Sequence, residues 1–299
     1  MSQTRDVICD VYGLSKEEAF ARAEAFIKDN SERWKLADPG INYGDPFCRM
    51  AYLYMNVAIH ASLVEHAMRV YPQIGRLMRE KARAGEELRV CALGGGPGSE
   101  LLGLVRYAES AREAESTTYV DFVLVDLVKE WDESWHALKA GVDERLRQLY
   151  GNERRHWPVV TSRSFLALNA TSPADFEHFA TRFGGTDLFL VCYLVSELKA
   201  SAAGFEAVLD LLAKRAKPGA LFLFIDRNER EVRTTIQQMV ERNPLLTLLD
   251  IKESRGRLEE NMSDLGEWYI HIPSLPRQKW LAFFALVERS GTDTHVVDD

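Results

Sequence analysis

A glycine-rich turn is the part of this chain whose residue types point most directly to chemistry. It reads GGGPGSE at residues 94–100, and it follows the apolar run LRVCAL. Glycine lets the backbone approach a ligand closely, and the helical-looking stretch after the turn would offer free N–H groups at its start. Open parallel sheets bind ligands at the carboxyl ends of their strands. The turn therefore predicts a ligand site between a strand and a helix.

Three classes of ligand compete for such a turn. A mononucleotide phosphate loop requires Gly-Lys-Ser or Gly-Lys-Thr, and the turn has no lysine, so this class is excluded. A dinucleotide fingerprint requires G-x-G-x-x-G, but counting from Gly94 and Gly96 places Ser99 at the third glycine, and Pro97 crowds the turn. Nicotinamide or flavin binding, with the NAD(P)-dependent oxidoreductase activity that it would serve, stays open as the weaker alternative.

The third class is indicated by a resemblance. VCALGGGPGSE resembles the first motif of the class I, seven-stranded, S-adenosylmethionine-dependent methyltransferases, whose G-x-G-x-G pattern is matched by Gly94, Gly96 and Gly98. That family usually has an acidic residue two positions before the first glycine, where this chain has Ala92, so one polar contact is replaced or lost. The resemblance implies that the cofactor S-adenosylmethionine is bound by Gly94, Gly95, Gly96, Gly98 and Ser99.

Later segments resemble the same family in the same chain order. VDFVLVD ends in Asp126, which matches the acidic residue that closes the family's second strand and accepts hydrogen bonds from both ribose hydroxyls, as a carboxylate can. FLALNATSPADF resembles the third-strand region, with Asn169 near the adenine. TDLFLVCYLVSEL matches the fourth strand, and AKRAKPGALFLFID resembles the turn into the fifth. The resemblance covers residues 86–290, and it implies further cofactor contacts by Leu127, Asn169, Ala170 and Cys192.

A narrower resemblance concerns the acceptor of the methyl group. GGGPGSE together with YLVSEL is similar to a eukaryotic group of methyltransferases that includes large-subunit ribosomal RNA uridine methyltransferases. The acceptor is accordingly expected to be a small molecule or RNA. A non-catalytic cofactor-binding sensor or partner subunit is the alternative, because Ala92 departs from the glycine motif and no N-P-P-Y acceptor motif follows the fourth strand.

Catalytic candidates follow the predicted fourth strand. Methyl transfer from a sulfonium to N, O or S depends mainly on positioning, and a base is needed only when the acceptor arrives protonated. Glu197 and Tyr193 are the candidates, although Glu197 could equally begin the next helix. Cys192 could be a nucleophile, as in some base methylases. However, it lies in an apolar strand without their preceding proline, which favours a buried structural thiol.

Aromatic and basic residues are concentrated before the glycine turn, in INYGDPFCRMAYLYMNVAIHASLVEH at residues 41–66. Rings at helical spacing usually form core. The family nevertheless uses N-terminal helices as a lid, which needs rings to exclude water and polar groups to orient the acceptor. Arg49 could pair with a carboxylate of the cofactor or of the substrate. The substrate candidates are Tyr43, Arg49, Tyr54 and His60. RRHW at residues 154–157 is a second candidate contact.

The sequence pattern that predicts the secondary structure around these residues changes near residue 85. Before it, helix-start signals occur at Ser15, which opens a capping box, at Asp45 and at Pro72. After it, apolar runs alternate with helical stretches, which predicts an α/β fold with a doubly wound, mostly parallel, seven-stranded sheet and an antiparallel last strand. The expected domains are a helical cover at 1–85, a Rossmann-like cofactor-binding domain at 86–290 and a disordered polar tail at 291–299.

Composition and charge argue against other classes of protein. The chain has 299 residues, 46% of them hydrophobic, which is enough for a full core. Four separated cysteines without a CxxC pair indicate reduced thiols in a cytoplasmic or nuclear protein, and the scattered histidines imply no metal. No apolar run reaches membrane-spanning length and no signal peptide is recognised, so no membrane partner is expected. A net charge of −8 disfavours binding of bare nucleic acid by bulk attraction. The oligomeric state is not indicated.

Overall fold

The fold is built on one seven-stranded sheet with helices on both faces. The computed structural model describes residues 6, 9–35, 40–111, 117–258 and 267–290. The tail predicted to be disordered, at 291–299, lies outside the described residues. The strands are β1 (Leu88–Leu93), β2 (Thr118–Asp126), β3 (Val159–Ala167), β4 (Leu188–Cys192), β5 (Leu221–Arg227), β6 (Leu246–Arg257) and β7 (Lys279–Arg289). The helices are α1 (Lys16–Lys35), α2 (Pro46–Val70), α3 (Pro72–Ala84), α4 (Ser99–Ser110), α5 (Trp131–Tyr150), α6 (Pro173–Glu177), α7 (Ala180–Phe183), α8 (Leu194–Glu197), α9 (Ala202–Arg215), α10 (Arg230–Arg242) and α11 (Glu267–His271).

The strand order is β3-β2-β1-β4-β5-β7-β6. Strands β1 to β5 run parallel to their neighbours, whereas β7 lies antiparallel to both β5 and β6. The predicted doubly wound, mostly parallel, seven-stranded sheet and its antiparallel last strand are therefore confirmed. The strand order reverses where β1 lies between β2 and β4, so the ligand crevice of this sheet lies outside the carboxyl ends of those strands.

Two hydrophobic cores cover the two faces of the sheet. Alternate residues of β1 enter different cores, because successive side chains of a strand point to opposite faces. Val90 and Ala92 pack beneath α2 to α5, whereas Cys91 and Leu93 pack beneath α9 and α10. Among the described residues, no helix is both long enough and apolar enough to cross a membrane.

The helices before the sheet begin where the sequence predicts. Ser15 and Glu18 form a reciprocal capping box, in which the Ser15 N–H donates to Glu18 Oε2 at 2.8 Å and the Glu18 N–H donates to Ser15 Oγ at 3.2 Å. Asp45 Oδ1 accepts from two N–H groups in the first turn of α2. Pro72 opens α3, which ends at Gly85 in a left-handed conformation with φ of 66°.

Helix α2 belongs to two clusters of buried side chains. Its C-terminal half contributes Leu63 to the core beneath the sheet, and it lies so close to α4 that a Cβ on Gly103 would be 2.5 Å from the carbonyl oxygen of Ala61. Its N-terminal half packs with α1 and α11 in a smaller cluster that includes Phe20 and Trp268. The helices before residue 85 therefore share a core with the sheet and also form one of their own.

Candidate ligand-binding site

The glycine turn after β1 adopts a conformation that requires glycine. Gly94, Gly96 and Gly98 have φ values of 65°, 49° and 84°, in the left-handed region that residues with a Cβ rarely adopt. A Cβ on Gly98 would also lie 2.3 Å from the ring of Trp135. The G-x-G-x-G spacing therefore reflects three left-handed positions within one tight turn from strand to helix.

Asp126, the last residue of β2, is hydrogen-bonded to this turn. Its Oδ2 accepts from the Gly96 N–H at 2.9 Å, and its Oδ1 accepts from the Val128 N–H at 2.9 Å. Burial raises the pKa of the Asp126 carboxyl to about 6, although the backbone hydrogen bonds act in the opposite direction. The carboxylate thus lies at the junction of two parallel strands, where it fixes the turn and remains near the crevice.

A cavity of about 310 Å³ lies over this junction. Its wall includes the ends of β1, β2, β4 and β5, the loop after β3, and parts of α1 and α2. The predicted site residues that line it are Gly94, Gly96, Asp126, Leu127, Asn169, Ala170, Cys192, Tyr193, Glu197, Tyr43 and His60. Leu127 is 67% exposed there, which leaves an apolar side chain uncovered by the described protein. The structure therefore brings together residues from five separate stretches of sequence.

Three predicted cofactor contacts lie behind the turn. Gly95, Gly98 and Ser99 are buried and are not part of the cavity wall that the described residues form. Gly95 packs so closely on Leu124 that a Cβ would lie 3.0 Å from that side chain, and Gly98 packs on Trp135. These residues shape the turn rather than face its crevice.

Tyr54, predicted as a substrate contact, lies in the core. Its hydroxyl donates to the carbonyl of Ile272 at 3.3 Å, and its ring stacks on Trp268 with centroids 6.2 Å apart. Tyr54 is not one of the described residues that line the cavity. The physical reason is the helical period: Tyr54 lies on the face of α2 that meets α1 and α11, whereas His60 lies on the face that meets the sheet ends.

Arg49, also predicted as a substrate contact, holds a loop instead. Its Nη1 donates to the carbonyls of Tyr43 at 3.1 Å and Gly44 at 2.9 Å, and its Nη2 lies 3.3 Å from Glu133 Oε2. The guanidinium is buried and is not part of the described cavity wall. Arg49 therefore contributes to the site only indirectly, because it fixes the loop that carries Tyr43 into the cavity.

The RRHW segment lies away from the cavity. Residues Arg154–His156 form a short 3₁₀ turn on the surface, and Trp157 is buried with its Nε1–H donating to the carbonyl of Gly151 at 2.9 Å. The guanidinium of Arg154 lies over the Trp157 ring, 5.6 Å from its centroid. The segment therefore closes the end of α5, and its tryptophan is not available for stacking on a base.

Ala92, which stands where the family that the sequence resembles usually has an acidic residue, lies in an apolar environment. Ala92 is fully buried and pairs with Leu124 in the neighbouring strand, so a carboxylate there would lie within the core. Glu100, in the first turn of α4, is a buried carboxyl close by, and its Oε2 has no partner among the described residues. Burial and, to a smaller extent, the charge of Asp126 raise the pKa of Glu100 to about 8. The carboxyl of Glu100 is therefore mostly protonated near pH 7.

The end of β4 brings an aromatic pair into the cavity. Tyr193 has φ of 59°, a left-handed conformation that no other non-glycine residue in the described ranges adopts. Its ring stacks on His60 with centroids 4.7 Å apart, and the Tyr52 hydroxyl lies 3.4 Å from His60 Nδ1. Burial lowers the pKa of His60 to about 3 and raises that of Tyr193, so the imidazole and the phenol are both uncharged. Tyr193 is thus suited to donate a hydrogen bond rather than to act as a base.

Glu197 ends α8 inside the cavity, where its side chain stays in contact with solvent. The protein around it raises the pKa of its carboxyl to about 7, chiefly by desolvation and to a smaller extent through the charges of Asp126 and Asp226. Both protonation states are consequently populated near neutral pH, as a general acid or base requires. By contrast, burial raises the pKa of the Cys192 thiol, so this residue remains a thiol rather than a nucleophilic thiolate.

Sequence reasoning missed several residues of the cavity wall. Trp34, Tyr52, Asn56, Trp131, Arg227 and Arg277 all line the cavity. Asn56 carried a usable signal, because it is a lone amide within the apolar stretch AYLYMNVAI of α2. Arg277 carried none, since the loop that places it has no motif. No cluster of histidine, cysteine, aspartate or glutamate within the described ranges could hold a metal ion.

The strand order, the antiparallel last strand and the glycine turn define a doubly wound, Rossmann-like fold. No protein-family model matches the sequence, and no curated protein matches it either.

Solved structures with a similar fold include a loganic acid methyltransferase with SAH, which is 11% identical with a TM-score of 0.47 and is matched over 81% of this chain and 97% of that one. Magnesium protoporphyrin IX methyltransferase from Synechocystis PCC 6803 with bound SAM is 13% identical over 90% and 97% of the two chains, with a TM-score of 0.37. TrmN from Thermus thermophilus is 12% identical over 72% of this chain with a TM-score of 0.40, and the chain spans 48% of its length. These similarities describe the fold, and the narrower resemblance to ribosomal RNA uridine methyltransferases remains a prediction.

Proposed function

We propose that the chain is an S-adenosylmethionine-dependent methyltransferase that acts on a small molecule bound in the cavity. The observation that carries this proposal is the position of Asp126, which is hydrogen-bonded to the left-handed glycine turn and lines the same cavity as Glu197. The proposed cofactor site and a titratable group that could transfer a proton would thus share one cavity. Enclosure by rings from α1 and α2 favours a small acceptor over a polymer such as RNA.

The residues present fit the cofactor at its nucleoside end. Each carboxylate oxygen of Asp126 accepts one backbone hydrogen bond and retains a lone pair for a ribose hydroxyl. Leu127 offers an uncovered apolar surface for the adenine ring. The Asn169 Oδ1 already accepts from the N–H and hydroxyl of Thr171, so its Nδ2 is the donor that it can offer to a ring nitrogen. These three residues support binding of an adenosine moiety.

The bound cofactor would supply an electrophilic methyl group on a sulfonium. The protein's own contribution would be positioning, exclusion of water and removal of a proton. Rings of Trp34, Tyr43 and Trp131 form much of the wall and would keep water out. Tyr193 and His60 would orient the acceptor by hydrogen bonding as neutral groups, and Glu197 would take a proton from the acceptor at Oε1 or Oε2 when one must be lost.

Calorimetry and isotope transfer together test this function. We expect S-adenosylhomocysteine to bind and NAD not to bind, and methyl-labelled S-adenosylmethionine to label the small-molecule fraction of a cell extract. Binding of NAD without binding of S-adenosylhomocysteine would contradict the proposal and favour an oxidoreductase. Cofactor binding with no labelled product would favour a non-catalytic sensor or partner subunit, and labelling of the RNA fraction alone would contradict the small acceptor.

A further inference from the structure

Asn56, in the middle of α2, is a buried polar side chain in the cavity wall that the proposed reaction does not use. It is 1% exposed, and neither its Nδ2 nor its Oδ1 has a hydrogen-bond partner in the described part of the chain. Buried polar groups are normally hydrogen-bonded, because leaving them unpaired is unfavourable. An unpaired amide at the edge of a cavity therefore marks a position where a ligand supplies the missing hydrogen bonds.

Arg277 lies beside Asn56. Its backbone N–H donates to the carbonyl of Met55 at 3.1 Å, and its side chain lines the same cavity. Within the described ranges the guanidinium forms no ion pair. Its strongest electrostatic partners are the hydroxyls of Tyr52, Tyr193 and Tyr43 and the guanidinium of Arg227, none of which is a carboxylate. The imidazole of His60 also faces it, and the carboxyl of Glu197 lines the same cavity.

Arg227, the other arginine in the cavity wall, already has partners. Its Nη2 donates to the carbonyl of Trp34 at 2.6 Å, and its Nη1 lies 3.9 Å from Glu229 Oε1. Burial keeps His60 uncharged, and no ion pair among the described residues compensates the positive charge of Arg277. A bound anion would balance it.

The donors at this end match a carboxylate. A guanidinium presents its N–H groups in a planar fork that pairs with both oxygens of a carboxylate, and arginine stays protonated when it is buried. The Asn56 Nδ2 is a second, neutral donor in the wall of the same cavity. The ring-lined wall lowers the local dielectric, which strengthens a charge pair once it forms.

The order of strands separates this end from the nucleoside end. Asp126 closes β2, whereas Arg277 lies just before β7, four strands further along the sheet. With about 4.8 Å between neighbouring strands, β2 and β7 are separated by about 19 Å across the sheet. We infer that Arg277 and Asn56 form a carboxylate subsite for the methyl acceptor, so that the substrate is a small organic acid. This inference rests on the proposed methyltransferase function.

Benzoate and benzamide are suitable probes, because they have nearly the same shape and differ in charge. We expect the full chain saturated with S-adenosylhomocysteine to bind benzoate at least tenfold more tightly than benzamide, as measured by calorimetry. Arg277→Gln should remove this preference and leave the affinity for S-adenosylhomocysteine unchanged. Arg155→Gln, which alters an exposed arginine outside the cavity, is the matched control and should keep the preference.

Asn56→Asp is a second test. It keeps the charge of Arg277, so its result does not depend on whether the protein folds without that charge. The new carboxylate would lie beside Arg277 and act as an internal counter-ion, so we expect a higher melting temperature and no benzoate binding. Equal affinity for benzoate and benzamide in the wild type would overturn the subsite.

The source of the carboxylate is tested separately. If Arg277→Gln weakens S-adenosylhomocysteine binding but not binding of 5′-methylthioadenosine, which lacks the amino-acid group, the subsite serves the cofactor and the inference is wrong. If the wild type binds no S-adenosylhomocysteine, the proposed function fails, and the benzoate preference of the cofactor-free protein still decides whether the anion subsite exists.

Discussion

The Gly96 N–H donates to Asp126 Oδ2 across 2.9 Å, which joins the turn after β1 to the end of β2. This bond links the two sequence motifs that resemble a cofactor site, although they lie far apart along the chain. Asp126 therefore stabilises the turn even when no ligand is bound. A substitution of Asp126 would affect both the turn and the proposed ribose contact.

Asp126→Ala should weaken S-adenosylhomocysteine binding by about 1.5–3 kcal/mol, the usual range for hydrogen bonds to a charged group. Asp126→Asn is the matched variant, because its amide oxygen can still accept from the Gly96 N–H while one acceptor oxygen is lost, and it should weaken binding less. Calorimetry measures both affinities, and circular dichroism should show a native fold. Unchanged affinity in a folded Asp126→Ala protein would assign the residue a purely structural role.

Gly96→Ala should impair cofactor binding because the backbone at Gly96 has φ of 49°. An alanine in the left-handed region costs about 1–2 kcal/mol, so the turn would shift and its bond to Asp126 would be disturbed. Gly141→Ala is the control, since Gly141 lies in α5 and a Cβ added there would have nothing within 4 Å. That substitution should stabilise the protein by about 0.5–1 kcal/mol and leave binding unchanged. Chemical denaturation and calorimetry distinguish the two, and equal effects would contradict this account of the turn.

The pH dependence of methyl transfer should report Glu197. Its pKa is raised to about 7, so kcat/KM should rise with pH through about 7 as the carboxylate becomes able to accept a proton. A positive sulfonium nearby favours the carboxylate form, so the corresponding ionisation in kcat should occur at lower pH. Glu197→Gln should abolish this rising limb, whereas Glu177→Gln on the exposed surface of α6 should retain it. A rising limb that persists in Glu197→Gln would rule the residue out as the base.

Glu100 should make the protein less stable as pH rises. Its pKa is raised from 4.5 to about 8 on folding, so the folded state holds a proton that the unfolded state releases. The stability that this group contributes is therefore fully present below pH 4.5 and is lost progressively up to pH 8, by about 1.4 kcal/mol per pH unit. Glu100→Gln cannot titrate, so its stability relative to the wild type should increase between about pH 5 and pH 8. Urea denaturation measures the free energy of unfolding of both proteins at each pH. If the difference between the two proteins did not change with pH, the prediction for Glu100 would be wrong.

Local chemistry explains why the sheet and the glycine turn could be predicted. Ser15, Asp45 and Pro72 set helix starts through hydrogen bonds and backbone limits that act within four residues, and the apolar strands follow from the burial of both sheet faces. Asp126 was predicted from its resemblance to the acidic residue that closes the second strand of a known family. Such signals depend on short stretches of sequence, and most of those that build the cofactor end lie within residues 88–126.

The wall of the cavity could not be predicted in the same way. Tyr43 and Tyr54 looked equivalent in the sequence. Packing of α2 against α1 and α11 places Tyr54 in the core, whereas the loop that Arg49 holds carries Tyr43 into the cavity. Arg277 comes beside Asn56 through a single backbone bond to Met55 between distant parts of the chain. Residues of this kind are brought together by tertiary packing, which periodicity does not encode.

Gly103 in α4 packs directly against Ala61 in α2, the residue that follows His60 of the cavity wall. Because α2 and α4 leave no room even for a methyl group there, the C-terminal half of α2 cannot slide or roll without breaking the core. The walls contributed by Trp34 and Tyr43 lie ahead of that point in the chain. A side chain at residue 103 would press on Ala61 and so displace its neighbour His60, which makes the shape of the cavity wall depend on a glycine that lies outside it.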